Sequence, residues 1–121
     1  MSYEILKLED DPASALEAIR DSSRRAPVLI FKKSPICPTS HRAEFEFDRW
    51  LEGLAQDAEL SVGGVDVIAR KPLARGLTSE LGIQHESPQA LWFVDGELRW
   101  HGSHGELTRG RFDELLAGAR S

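Results

Sequence analysis

Val28-Leu29-Ile30-Phe31 is an unbroken apolar run, entered through Ala26-Pro27 and closed by Lys32-Lys33. It is too short for a helix, and it does not alternate as a half-solvated strand does. It fits a strand covered on both faces, as in a parallel or mixed sheet sandwiched between helices. It also falls far short of the ~18 apolar residues that span a bilayer, so no membrane association is expected. Met1 to Ile5 shows no basic segment followed by an apolar one, which gives no signal peptide and an expected cytoplasmic location. No lipidation signal stands at either end.

The flanking segments alternate between helix and strand. Tyr3 to Leu8 reads as a short first strand with Tyr3, Ile5 and Leu8 inward. Asp11-Pro12 supplies an N-cap carboxylate and a first-turn proline for a helix whose apolar face is Ala15, Leu16 and Ile19, fading near Asp21-Ser22-Ser23. Ala43, Phe47, Trp50, Leu51 and Leu54 form a helical stripe that weakens at Gly53. Val65 to Ala69 reads as a strand. Pro72 opens a helix carrying Leu73, Leu77 and Leu81, stopped by Gly82. Ala90–Val94 and Leu98–His101 flank Asp95-Gly96, a strong hairpin signal. Thr108 caps a last helix with Phe112, Leu115, Leu116 and Ala119 on one face. Two βα units call for parallel strands joined by right-handed crossovers, and the hairpin adds antiparallel ones. The expected fold is thioredoxin-like α/β: a central mixed sheet with helices on both faces, then a C-terminal β-hairpin plus helix. At 121 residues the chain makes one such domain, 1–121.

A single cysteine, Cys37, excludes an intramolecular disulfide and any multi-cysteine zinc site. A net charge of −5 argues against nucleic-acid binding, which needs a basic surface. Cys37 lies in the polar loop Lys33-Ser34-Pro35-Ile36-Cys37-Pro38-Thr39-Ser40, between the buried strand and a long helix. Free N–H groups and the positive end of the macrodipole favour thiolate there. Lys32 and Lys33, read as exposed and screened, add to the effect. Pro38 suits the first helical turn. Ser40, three residues on, is placed to hydrogen-bond the sulfur, though it cannot act as a resolving thiol. A lone cysteine is more often an inert core residue, but this one is flanked by prolines in a polar loop.

Ser87-Pro88 precedes the strand Ala90–Val94. Such a pair is ordinarily a trans turn or strand entry. In a chain of thioredoxin layout a cis-proline stands at this point and frees the preceding backbone to pair with an extended substrate. His101-x-x-His104, with His85, has a ligand-like spacing, yet no carboxylate or thiolate completes a set, so no metal is expected. Trp92 and Trp100 read as core or groove wall.

Phe31-Lys32-Lys33-Ser34-Pro35-Ile36-Cys37-Pro38-Thr39-Ser40, His85-Glu86-Ser87-Pro88-Gln89-Ala90 and Trp100-His101-Gly102-Ser103-His104 resemble the three signature segments of the monothiol bacilliredoxin family, over roughly Leu16 to Leu116. Two positions depart from the family pattern: histidine is usual where Lys33 stands, and Thr-Cys-Pro-Ile-Ser where this chain reads Ile36-Cys37-Pro38-Thr39-Ser40. The resemblance implies a thiol–disulfide oxidoreductase that removes bacillithiol from mixed disulfides on proteins. Cys37 would be the nucleophile, Ser40 would steady the sulfur's charge, and Pro38, Ser87 and Pro88 would meet substrate. No cofactor is tightly bound on this reading, and bacillithiol is a co-substrate. The partners are mixed-disulfide proteins, together with an external thiol or reductase for regeneration. Two alternatives stand beside it: a non-catalytic binding or redox-sensing module using the Pro88 groove, and an iron–sulfur carrier, whose usual Cys-Gly-Phe-Ser loop Cys37-Pro38-Thr39-Ser40 does not match.

Overall fold

The computed structural model describes residues 3–119. The elements are β1 (Glu4–Ile5), α1 (Pro12–Ser23), β2 (Val28–Lys33), α2 (Pro38–Glu52), β3 (Ser61–Asp66), α3 (Lys71–Leu81), β4 (Gln89–Val94), β5 (Glu97–Ser103), a 3-10 turn (His104–Glu106) and α4 (Arg109–Ala119). The strands form one sheet in the order β1-β3-β2-β4-β5. β3 pairs in parallel with β1 and β2, β4 runs antiparallel to β2, and β5 antiparallel to β4. This is the thioredoxin-like mixed sheet expected from the residue pattern.

The central position of β2 explains its unbroken apolar run. Alternate side chains leave a strand on opposite faces, so a strand covered on both sides needs apolar residues at every position. Val28 and Ile30 join Leu91 and Phe93 in a core closed by Ile19 of α1 and Leu77 of α3. Leu29 and Phe31 join Trp92 in a second core closed by Phe47 and Trp50 of α2 and Phe112 of α4. In that second core Phe31 stacks on Phe47 with centroids 4.8 Å apart, and Phe112 meets Phe47 edge-on at 6.0 Å, both favoured aromatic geometries.

The turn and cap chemistry is as the residue types predict. The Asp11 carboxylate accepts the Ser14 N–H at 2.9 Å, and the Thr108 hydroxyl accepts the Arg111 N–H at 3.2 Å. Gly82 ends α3 with φ 71°, a left-handed conformation that glycine adopts without steric cost. Asp95 and Gly96 turn the β4–β5 hairpin with φ 52° and 81°.

Three expectations are corrected. The first strand is only Glu4–Ile5, and Ile5 is 59% exposed rather than inward. β3 occupies Ser61–Asp66 instead of Val65–Ala69. Its Gly63-Gly64 pair hides the alternation, and a Cβ at Gly63 would come within 3.0 Å of the Ile30 side chain, so the glycine there permits close strand packing. After Asp66 the chain turns, because its carboxylate accepts the N–H groups of Ile68 and Ala69 at 2.8 and 2.9 Å. Finally, β2 runs on through Lys32 and Lys33.

Candidate active site

Ser34-Pro35-Ile36 carries the chain from β2 to Cys37, the N-cap residue of α2, whose backbone is extended (φ −101°, ψ 121°). Pro38 follows at the first helical position, where a missing N–H costs no helical bond. The Cys37 carbonyl accepts the His41 N–H at 3.1 Å, the first hydrogen bond of the helix. The thiol makes no capping hydrogen bond, and the residue is half-buried. Cys37 therefore stands at the helix end where unpaired N–H groups and the positive pole of the dipole gather.

Cys37 opens on a groove of about 610 Å³ that it shares with Ile36, Ile68, His85 and Ser87. Ile36 and Ile68 are 78% and 52% exposed, which gives the groove an apolar rim. The Ser87–Pro88 peptide bond is cis. Ser87 Oγ is buried and has no hydrogen-bond partner among the described residues. Pro88 is buried behind it, with its carbonyl accepting the His104 N–H at 3.2 Å.

Ser40 is fully buried, and its hydroxyl accepts the Ser34 N–H at 2.8 Å. No hydrogen bond joins it to Cys37 among the described residues. The expected contact with sulfur gives way to a local need: the loop's buried Ser34 amide requires an acceptor, and Ser40 supplies it. Ser40 thus pins the loop that carries the cysteine.

The two lysines before the loop are also corrected. Lys33 pairs with Glu44 of α2, which offsets its charge. Lys32 is wholly buried, not a screened surface cation. It sits on the strand face of Val28 and Ile30, and its Nζ meets His85 Nδ1 at 2.7 Å and donates to Gln89 Oε1 at 2.7 Å. Burial brings the Lys32 ammonium down to about 7, with the positive charge of Arg75 adding to the fall and Glu86 opposing it. His85 is lowered as well, first by burial and then by the charges of Lys32 and Arg75. Gln89 extends the network: its Oε1 accepts the Glu86 N–H at 3.3 Å and its Nε2 donates to the Gln84 carbonyl at 3.0 Å. A buried lysine thereby holds the segment leading to Ser87-Pro88.

A family model described as monothiol bacilliredoxin BrxC matches residues 8–112. The chain belongs to the monothiol bacilliredoxin family. A solved candidate oxidoreductase with a thioredoxin fold shares 24% identity with this bacilliredoxin-family chain, at a TM-score of 0.73, covering 94% of this chain and 93% of that one. Thioredoxin O2 from Arabidopsis thaliana, in its oxidised state, shares 18% identity at a TM-score of 0.66, with 99% and 96% covered. The thioredoxin of Fasciola hepatica shares 11% at a TM-score of 0.66, with 96% and 98% covered. At these identities the likeness is one of fold. Family and fold together support a role of the thiol–disulfide oxidoreductase kind.

Within this bacilliredoxin-family site the three histidines part company. His85 belongs to the Lys32 network, His101 is exposed on β5, and His104 faces Glu86 with Nδ1 3.9 Å from the carboxylate. Among the described residues no group of three or more His, Cys, Asp or Glu side chains is placed to hold a metal ion. Trp92 lies in the core; Trp100 packs at its edge beneath the Arg111 guanidinium, 5.9 Å from the ring centroid. No helix among the described residues is long and apolar enough to cross a membrane. Reading from residues missed Lys32, His85 and Gln89 as one unit. The signal was strand parity, since Lys32 falls on the same face as Val28 and Ile30, where only a partnered charge can be buried.

Proposed function

We propose that this chain is a monothiol oxidoreductase that removes bacillithiol from mixed disulfides on proteins, with Cys37 as nucleophile. The observation that carries the proposal is the placement of Cys37 at the start of α2, in one groove with Ser87 of the cis Ser87–Pro88 pair. In the first step the Cys37 thiolate attacks the bacillithiol sulfur of the modified protein. The new disulfide forms as the old one breaks, and its electron pair leaves on the protein's thiolate. In the second step a free bacillithiol thiolate, or the thiolate of a redox partner, attacks the Cys37 adduct and restores the Cys37 thiolate. No second cysteine exists in the chain to resolve the adduct, so this step is intermolecular. All electrons come from thiols, and the cycle calls for no resident cofactor.

Pro38 and Ser87 contact substrate in this reading, with the buried Pro88 supporting Ser87, whose backbone pairs with the segment carrying the mixed disulfide. Ser40 acts by fixing the loop. The thiol chemistry suits the reducing cytoplasm, where Cys37 stays free between turnovers. The test is release of bacillithiol from a bacillithiolated protein, followed by mass spectrometry. Wild type should release it and become transiently adducted at Cys37, while Cys37→Ser should release none. Absence of turnover in the wild type, or equal release by Cys37→Ser, would sink the assignment.

A further inference from the structure

Two cations of the Cys37 groove have no role in the scheme so far. Lys71 and Arg75 lie one helical turn apart on α3, on the same face, and both border the groove. Among the described residues neither side chain has a carboxylate within 4.0 Å, although the chain carries 20 acidic against 15 basic residues. Their neighbour Arg70 shows the contrast: it is tied to Asp10 at 2.8 Å and to the Leu8 carbonyl at 2.6 Å, a structural engagement.

The acids of the adjoining segments are committed elsewhere. Asp66 accepts the amides of its own turn, and Glu86 faces His104. Among the described residues no carboxylate lines the groove. In a protein of net charge −5, a cavity walled by the candidate nucleophile, two unpaired cations and an apolar rim is a local reversal of sign. Ser87 Oγ, buried in the same wall without a partner, adds an unused hydrogen-bonding group. Unpaired guanidinium and ammonium groups beside a reactive sulfur are suited to an anion carried on the reacting thiol itself.

We infer that the groove selects an acidic low-molecular-weight thiol, with its carboxylate held by Lys71 and Arg75 while its sulfur is presented to Cys37. The inference rests on the exchange reading of Cys37 and names the residues that choose its small thiol. Lys71 and Arg75 bind the leaving or entering small molecule and take no part in the bond changes. The Cys37–S bond forms and the mixed disulfide breaks as already described.

The test uses one carrier protein with its cysteine converted to three mixed disulfides: with 3-mercaptopropionate (anionic), with 2-mercaptoethanol (neutral) and with cysteamine (cationic). Wild type should release the anionic adduct about tenfold faster than the cationic one, with the neutral adduct between them. Raising the salt should shrink this ratio. In the double variant Lys71→Gln, Arg75→Gln the ratio should fall to within about twofold, while release of the neutral adduct is retained. Both residues are exposed, so the variant keeps its fold, checked by circular dichroism. The ratio cancels any change in the reactivity of Cys37 itself. A wild type with no preference, or a preference unaltered in the double variant, overturns the inference. So does a preference that follows acidic residues flanking the carrier's cysteine, which would assign the cations to the protein partner. Release of none of the three adducts strikes at the exchange reading instead.

Discussion

Lys32 Nζ and His85 Nδ1 lie 2.7 Å apart, with the lysine wholly buried and its ammonium brought down to about 7. Burial lowers the Lys32 ammonium first and the nearby Arg75 charge adds to the fall, while His85 is lowered by its own burial and then by the Lys32 charge. An unfolded lysine titrates near ~10.4. Between about 7 and that value the unfolded chain keeps a proton that the folded chain has released. Stability should therefore climb through this window by up to ~1.4 kcal/mol per pH unit, while below about pH 7 the cost of the buried charge is fully present and adds no slope. Urea unfolding between about pH 7 and 9.5 should show this rise in wild type and its loss in Lys32→Met. In the same variant the His85 ring, freed from the lysine charge, should titrate at higher pH by NMR. Equal slopes for the two proteins would contradict the assignment.

Ser40→Ala should cost about 1–3 kcal/mol, because it orphans the buried Ser34 amide. Denaturant unfolding measures the loss. A variant as stable as wild type would show that the loop finds another acceptor.

Gly76 faces α1 so closely that a Cβ would sit 2.2 Å from a ring carbon of Pro12. Gly76→Ala should destabilise by about 1–3 kcal/mol through overpacking, despite its better helix propensity. Gly110, in α4, has open space around it, and Gly110→Ala should be neutral or stabilise by up to about 1 kcal/mol. Thermal melts of the pair, run side by side, compare the two signs.

Ile36, 78% exposed beside Cys37, should matter to partners and not to folding. Ile36→Ser should change stability by less than about 0.5 kcal/mol. It should slow release from a protein mixed disulfide about fivefold, the equivalent of roughly 1 kcal/mol of apolar burial. Exchange with a small free disulfide should be unaffected. Equal slowing of both reactions would show that Ile36 acts on the cysteine and not on the partner.

Much of this architecture is legible in the residues. Val28 to Phe31 announces a doubly covered strand, Asp11-Pro12 and Gly82 bound their helices, and Asp95-Gly96 turns the hairpin. Cys37 and Ser87-Pro88 can be placed from the order of elements. β3 escapes because Gly63 and Gly64 carry no side chain with which to declare a face. Lys32 escapes because charge at a strand end reads as solvent, and only its distant partners, His85 and Gln89, make burial tolerable. Ser40 shows a third limit, since the acceptor that its hydroxyl provides is demanded by a backbone amide that no residue pattern reveals.

The sheet keeps its two cores apart, and the Cys37 groove lies along the seam. The helix that presents the cysteine packs into one core, while Lys32, Gln89 and the helix bearing Lys71 and Arg75 belong to the side of the other. β2 and β4 give alternate side chains to each core, so each wall is backed by its own set of side chains on shared strands. The cysteine and the cations across the groove are thus borne by opposite layers of one sheet.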